Sequence, residues 1–222
     1  LINALFFSDF KQRLLPSDVG RTTMCPTEIF HDTNEPPYLR LLPIESRYRD
    51  ESIAQLKNMP VEWVKIRLNL DSVSDMKNAM QMLAESKKIF TLEARMMGLL
   101  PDDHKSEGDE ALETVDIPAW RYALINYPHK LLTNGIAIID TPGLNALGLE
   151  PELTYNTIPN AHAVLYLLGI DTGVTKSDLD VWQKYVQRSH SRRIAVLNKI
   201  DLMWDDLKTP EEIAKGVEKQ ID

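Results

Sequence analysis

The apolar residues of the chain lie at helical spacing in some segments and at strand-like spacing in others. Residues 1–6 carry apolar side chains at helical spacing, which predicts an opening amphipathic helix. Over 64–70, apolar residues alternate with polar ones, as in a half-buried strand. A helix is predicted to follow, with Ser72 or Ser74 as its N-cap. Its apolar face would contain Met76, Met80, Leu83, Ile89 and Leu92.

The second half of the chain shows a regular succession of strands and helices. Helices are predicted to begin near Ser177 and at Thr209. Strands are predicted at 121–127, 135–139, 163–168 and 194–197. Continuous apolar runs of this kind suit strands that are buried on both faces of a parallel sheet. We therefore predict an α/β fold in three layers, with a mostly parallel sheet and helices on both faces.

Composition and charge narrow the class of protein. The chain has 222 residues, is 43% hydrophobic and carries a formal net charge of -8, which indicates a globular protein and argues against a nucleic-acid partner. Its single cysteine, Cys25, cannot form an internal disulfide, so we expect a reducing, cytoplasmic setting. We interpret Cys25 as a small buried hydrophobic residue. No apolar run is long enough to span a bilayer.

A carboxylate and a glycine follow the strand predicted at 135–139. The motif Asp140-Thr141-Pro142-Gly143 begins where this strand ends, which is where an open α/β sheet binds its ligands. The Asp140 carboxylate suits a water-mediated contact to Mg²⁺, because this ion keeps several waters when it binds to proteins. Gly143 lacks a side chain, so its backbone N–H can approach a terminal phosphate closely. The motif predicts a phosphate and metal site, and a simple turn glycine is the alternative.

A second polar motif, Asn198-Lys199-Ile200-Asp201, follows the strand predicted at 194–197. The Asp201 carboxylate can accept hydrogen bonds from both N1–H and the exocyclic amine of guanine. A base without these donors would leave a desolvated carboxylate unpaired. We expect Asn198 to bond the base and neighbouring loops, and the Lys199 stem to lie along the ring. A helix cap at a strand–helix junction is the alternative, but two motifs in this order favour guanine-nucleotide binding.

With these two motifs the sequence resembles a GTPase of the P-loop class, and its further details are similar to the dynamin superfamily. Leu15-Pro16, Thr23 and Pro26 have the spacing of the first switch of that superfamily. Residues 136–178 resemble bacterial dynamin-like proteins in particular, through Asp140-Thr141-Pro142-Gly143-Leu144-Asn145 and Thr175-Lys176-Ser177-Asp178.

The resemblance implies a role for one residue that spacing alone does not identify. Thr23 would be catalytic, with its hydroxyl on Mg²⁺ and its backbone orienting the attacking water. Its neighbour Thr22 fits the spacing of the family less well. GTP would be the substrate and Mg²⁺ the cofactor.

The resemblance also implies an enlarged GTPase domain. A long stretch separates Thr23 from Asp140, and about 32–118 reads as a family-specific insertion between the first switch and the D-x-x-G motif. The phosphate-binding sequence G-x-x-x-x-G-K-[ST] does not occur in the chain. We therefore expect residues 1–222 to be a partial dynamin-type GTPase domain without its first strand, phosphate loop and C-terminal part, and inactive by itself.

The function implied by the resemblance is GTP hydrolysis coupled to self-assembly and membrane remodelling. The expected partners are GTP or GDP, a second copy through the GTPase domains, and membrane lipids that bind to parts outside this chain. The expected location is cytoplasmic, at the inner face of a membrane when the protein is assembled. The alternatives are an Era-like or septation-type GTPase and a non-hydrolysing scaffold that has lost phosphate binding.

Overall fold

The computed structural model describes residues 1–16, 25–100, 113–141, 157–158, 160–170, 172–187, 189–204 and 209–221. The chain divides into two compact units, Leu1–Leu149 and Glu150–Asp222. Among the described residues, the helices are too short and too polar to cross a bilayer.

The first unit contains short helices, a five-stranded sheet and a two-stranded sheet. Its α-helices are α1 (Ile2–Phe6), α2 (Ile53–Lys57), α3 (Val73–Gln81) and α4 (Thr91–Met96). Single 3-10 turns lie at Ser8–Phe10, Ile44–Tyr48, Pro60–Glu62 and Met82–Ala84. Its strands are β1 (Thr27–Phe30), β2 (Tyr38–Pro43), β3 (Val64–Arg67), β4 (Ser86–Phe90), β5 (Thr114–Pro118), β6 (Trp120–Asn126) and β7 (Ile138–Asp140).

The five-stranded sheet has the strand order β3-β2-β6-β1-β7 and is mostly antiparallel. Three of its pairs run antiparallel, namely β3 with β2, β2 with β6, and β1 with β7. The pair of β1 with β6 is parallel. Ala123 on β6 lies opposite Thr27 on one side and Leu41 on the other, so β6 is the central strand. β4 and β5 form the antiparallel two-stranded sheet.

The second unit is built on one parallel strand pair. β8 (Ala163–Gly169) pairs with β9 (Arg192–Asn198) in register, from Ala163 opposite Arg192 to Gly169 opposite Asn198. Between them lies α5 (Lys176–Val181), which continues as a π-helical segment over Trp182–Val186. After β9 come a 3-10 turn at Ile200–Met203 and α6 (Pro210–Ile221).

The prediction of a mostly parallel three-layer sheet is wrong. Over the described residues the fold is mixed α/β with few helices. Its five-stranded sheet is mostly antiparallel, and the other two sheets have two strands each. An apolar run indicates that a strand is buried on both faces. Burial does not determine strand direction, so a parallel sheet cannot be inferred from apolar runs. In the second unit even the burial differs from expectation, because one face of the β8–β9 pair exposes Leu165, Leu167, Ile194 and Val196.

The five-stranded sheet buries its two faces under different elements. One face packs with α1 and α3 in a cluster that includes Phe6, Ile29, Leu39, Leu41, Met76, Met80, Ala123 and Ile125. The opposite face packs with α2 in a smaller cluster of Leu42, Ile53, Leu56, Trp63, Tyr122 and Leu124. Successive residues of β6 belong to the two clusters in turn, since side chains alternate across a strand. This explains why β6 is apolar from Tyr122 to Ile125 although it has one antiparallel neighbour.

The helix that was predicted after 64–70 forms, but it is shorter than its apolar pattern suggests. The Ser72 hydroxyl accepts a hydrogen bond from the backbone N–H of Asp75 and caps α3, as predicted. The methionines Met76 and Met80 are fully buried in the core. The extension to Ile89 and Leu92 is wrong, because α3 ends at Gln81 and the chain then forms β4 and α4. Pairing of β4 with β5 outweighs the local helical spacing.

Cys25 lies just before β1 and is 1% exposed, which confirms its interpretation as a buried hydrophobic residue. Burial raises the pKa of its thiol to about 12, against a smaller lowering by its contact with Thr27. The folded protein therefore keeps this proton at pH values where the unfolded chain, with an ordinary thiol pKa of 9.0, loses it. Unfolded chains then bind fewer protons than folded ones, so the contribution of Cys25 to stability falls as the pH rises from 9.0 to about 12.

We expect iodoacetamide at pH 8 to alkylate Cys25 only as fast as the protein opens, because the thiolate is the reactive species and the folded site suppresses it. Mass spectrometry of samples with and without urea measures the two rates. Complete alkylation of the folded protein at the rate seen in urea would contradict the burial of this thiol.

Candidate functional site

The first predicted motif begins at the end of the shortest strand of the five-stranded sheet. Asp140 is the last residue of β7 and is partly buried. β7 runs antiparallel to β1, and the register places Asp140 opposite Thr27 and Ile139 opposite Glu28. Gly143 lies outside the described residues.

The strand that follows the predicted switch threonine starts beside this carboxylate. Thr27 is the first residue of β1, and its hydroxyl donates a hydrogen bond of 3.2 Å to the Cys25 carbonyl. Thr23 precedes Cys25 along the chain and lies outside the described residues. The described chain from Cys25 onward therefore enters the sheet beside Asp140.

The chemistry of these donors suits Mg²⁺. One carboxylate, Asp140, and one hydroxyl, Thr23, are hard oxygen ligands, and Mg²⁺ takes one or two protein ligands together with water and phosphate oxygens. No cluster of three or more His, Cys, Asp or Glu side chains suited to a metal occurs among the described residues. As a pair of oxygen donors, Asp140 and Thr23 suit an Mg²⁺ ion that also binds phosphate oxygens.

The second predicted motif forms one continuous turn at the carboxyl end of β9. Asn198 ends the strand opposite Gly169, and its carbonyl accepts a hydrogen bond of 3.1 Å from the backbone N–H of Ile170. Asp201 lies in the 3-10 turn that follows, and its carbonyl accepts the Trp204 N–H at 3.1 Å. The side chains of Asn198, Lys199 and Asp201 are all exposed, as residues that contact a ligand must be. The structure therefore holds these three residues together in the second unit.

The sequence analysis did not predict the glycine-containing turn that lies beside this motif. The turn after β8 lies beside Asn198, and it is shaped by Gly169, whose carbonyl accepts the backbone N–H groups of Thr172 and Gly173. Gly173 has a φ of 62°, a left-handed conformation that glycine adopts readily. Two glycines that follow an apolar strand were the available signal in the sequence.

The motif that resembles bacterial dynamin-like proteins, residues 175–178, forms the start of α5. The Thr175 hydroxyl accepts the Asp178 N–H, and the Asp178 carboxylate accepts the Thr175 N–H at 2.9 Å, so the two form a capping box. Hydrogen bonding from Thr175 lowers the pKa of Asp178. The Tyr166 hydroxyl donates a hydrogen bond of 3.1 Å to the backbone carbonyl of Asp178. Burial, together with the negative charge of the Asp178 side chain, raises the pKa of Tyr166 to about 12. These contacts anchor α5 to β8.

Lys199 has an unusual backbone conformation for its residue type. Its φ of 61° and ψ of 32° lie in the left-handed region, where a side chain is strained by about 1–2 kcal/mol. Such strain is concentrated at functional sites, because the surrounding structure must hold it in place. Here the Leu202 N–H donates to the Lys199 carbonyl at 3.0 Å and closes the turn. The strained turn sets the spacing of Asn198 and Asp201.

We expect Lys199→Gly to be more stable than Lys199→Ala by about 1 kcal/mol, because glycine relieves the left-handed strain and alanine keeps it. Both variants lose the lysine stem, so both should bind GTP more weakly than the unmodified protein. Urea unfolding and nucleotide titration measure the two effects separately. An alanine variant as stable as the glycine variant would show that the turn is not strained.

Three comparisons with known proteins each found a match. A sequence model described as "Dynamin family" matches residues 1–200. A bacterial dynamin-like protein of Nostoc punctiforme is 28% identical over 109 residues, which are 49% of this chain and 15% of that protein. A solved chain from an oligomerised bacterial dynamin pair, described as a mechanism for the long-range sensing and tethering of membranes, is similar to 99% of this chain with a TM-score of 0.50 at 16% identity. This chain spans 27% of that structure, so the similarity concerns one part of a larger protein.

Proposed function

Because this chain belongs to the dynamin family, we propose that the full-length protein binds GTP and hydrolyses it, and that these residues supply its base-recognition and switch elements. The observation that carries the proposal is the exposed Asn198-Lys199-Ile200-Asp201 turn at the carboxyl end of the parallel β8–β9 pair.

Guanine selection is assigned to this turn. Asp201 accepts the N1–H and the exocyclic amine of the base, Asn198 bonds the base and the adjoining turn, and the aliphatic stem of Lys199 covers the ring. A carboxylate that meets both donors gains two charge-assisted hydrogen bonds, and any base without them leaves it unpaired.

Phosphate and metal contacts are assigned to residues that precede the guanine turn in the sequence. In this proposal Asp140 would hold Mg²⁺ through water, the Gly143 N–H would meet the terminal phosphate, and Thr23 would bind the metal through its hydroxyl while its backbone orients water. When bound, Mg²⁺ neutralises charge on the phosphate oxygens. Leu144, next to Gly143, is apolar and cannot position the attacking water. The family resemblance assigns that role to the backbone of Thr23.

We propose hydrolysis for the full-length protein and not for these 222 residues alone. A G-x-x-x-x-G-K-[ST] sequence does not occur in them, and that sequence cradles the phosphates with backbone N–H groups and a lysine. A non-hydrolysing scaffold is the competing account, and a full-length protein that also lacks this sequence would favour it.

We propose that nucleotide state drives self-association, and that the assembled protein works in the cytoplasm on the inner face of a membrane. The support is the family membership and the similarity to one member of an oligomerised pair that tethers membranes. GTP would order the segment around Thr23 and the segment after Asp140, and hydrolysis would release them.

Sedimentation of the full-length protein with phosphatidylglycerol-containing liposomes tests this coupling. We expect more protein in the pellet with GTP or a non-hydrolysable analogue than with GDP. Equal pelleting with every nucleotide would contradict the coupling, and failure to bind GTP in a parallel titration would favour the scaffold account.

A further inference from the structure

Glu28 is a charged residue in the interior of the five-stranded sheet, next to the end that carries Asp140. It is the second residue of β1 and lies opposite Ile139 of β7. Side chains alternate along a strand, so Glu28 points to the face opposite Ile29, the face covered by α2. Its side chain is 14% exposed, so its charge requires partners.

Two partners satisfy this carboxylate. Lys57 forms an ion pair with the Glu28 carboxylate, and the Tyr122 hydroxyl donates a hydrogen bond of 3.0 Å to the same oxygen. The Lys57 ammonium also lies 5.5 Å from the centre of the Tyr122 ring. Three elements meet at this point, because Glu28 comes from β1, Lys57 from α2 and Tyr122 from β6.

α2 is held in place by several contacts despite its short length. Ser52 and Gln55 form a capping box at its start, and Leu56 is fully buried. The indole N–H of Trp63 donates a hydrogen bond of 2.8 Å to the Leu56 carbonyl. Lys57 is the last residue of α2, where a cation interacts favourably with the helix dipole.

We propose that Glu28 is a positioning residue for the GTP site: its contacts with Lys57 and Tyr122 fix the start of β1, which pairs with Asp140 at the end of β7. The inference rests on the proposed GTPase function. The contact with Lys57 joins β1 to α2, which lies in the region predicted as a family-specific insertion.

The test compares Glu28→Ala with the unmodified full-length protein. A small displacement of a catalytic segment lowers turnover by on the order of 10-fold or more, so we expect kcat to fall about 10-fold. The Mg²⁺ concentration for half-maximal rate should rise, because Asp140, which lies beside the start of β1, is the proposed contact to the metal. GDP affinity should change by less than about 2-fold, because the guanine turn lies elsewhere in the chain.

Glu35 provides a matched control. It lies after β1, pairs with Lys65, and accepts a hydrogen bond of 3.1 Å from Arg40. We expect Glu35→Ala to leave kcat and the Mg²⁺ requirement unchanged. If Glu28→Ala does not fold, Glu28→Gln takes its place, since it keeps an acceptor for Tyr122 and loses only the ion pair. For that variant a loss of a few-fold in kcat is expected.

The outcomes separate this inference from the proposed function. Turnover by the unmodified protein with no difference between the Glu28 and Glu35 variants would overturn the positioning role alone. A parallel loss of GDP and GTP affinity would also overturn it, because that is the pattern of a general loss of stability. Absence of GTP turnover in the unmodified protein would overturn the proposed function and the inference with it.

Discussion

Replacing Asp201 with asparagine is expected to lower GTP affinity by roughly 100-fold or more. The carboxylate accepts two hydrogen bonds from guanine, and each bond to a charged group contributes about 1.5–3 kcal/mol. The amide of asparagine has a single acceptor oxygen and turns an N–H₂ donor toward the donors of the base. Fluorescence titration with labelled GTP measures the change, and Trp204, which lies in the same turn and is 67% exposed, offers an intrinsic reporter.

The same substitution should improve binding of xanthosine triphosphate. Xanthine has a carbonyl where guanine has its amine, and that oxygen accepts a hydrogen bond from the new amide. A matched control is Asp205→Asn, which makes the same chemical change a short distance along the chain and should leave both affinities unaltered. If Asp201→Asn kept its preference for GTP, the assignment of this turn to base recognition would be wrong.

The second large effect is expected for Thr23→Ala. In the proposed site, loss of the hydroxyl removes a protein ligand from Mg²⁺ at the transferred phosphate, where such contacts contribute several kcal/mol to the transition state. We expect kcat for GTP to fall by roughly 100- to 1,000-fold. GDP binding should change little, since the switch threonine contacts the metal only when the terminal phosphate is present. Single-turnover phosphate release measures the rate.

Thr22→Ala is the control for this change. It deletes the same hydroxyl one residue earlier, and the spacing to Pro16 and Pro26 favours Thr23. A loss of activity in the Thr22 variant, with a normal rate for the Thr23 variant, would reverse the assignment. Equal and small losses in both variants would exclude a threonine of this segment from catalysis.

Local features of the fold are predictable from the sequence because they depend on neighbouring residues. The strands β6, β8 and β9 lie where their apolar runs predict them. The same holds for helix starts, since Thr209 caps α6 through reciprocal contacts with Glu212, as Pro210 and the early acidic residues indicate.

Features that depend on distant parts of the chain are not predictable in this way. Strand direction in the five-stranded sheet depends on the pairing of β2 with β6, which are far apart in sequence. The residues that meet Glu28 are equally distant, since Tyr122 lies 94 positions away along the chain. A single sequence contains no local signal for such contacts.

The candidate site shows the same division. The order of residues in Asn198-Lys199-Ile200-Asp201 predicts its chemistry, and the structure places the motif at the end of β9, as expected. The left-handed backbone of Lys199 and the neighbouring Gly169 turn follow from tertiary contacts, so the sequence pattern did not indicate them. Whether Thr23, Gly143 and Asp140 act together with this turn stays a prediction.

Phosphate release by the full-length protein, measured side by side with GTP and ATP in the presence of Mg²⁺, tests the central claim most directly. The account predicts steady turnover of GTP and loss of activity when the metal is chelated. Turnover of ATP should be at least 100-fold lower, because adenine lacks the two donors of guanine and would leave the Asp201 carboxylate unpaired. Equal hydrolysis of both nucleotides, or none of either, would contradict the assignment of this chain to a GTP-hydrolysing protein.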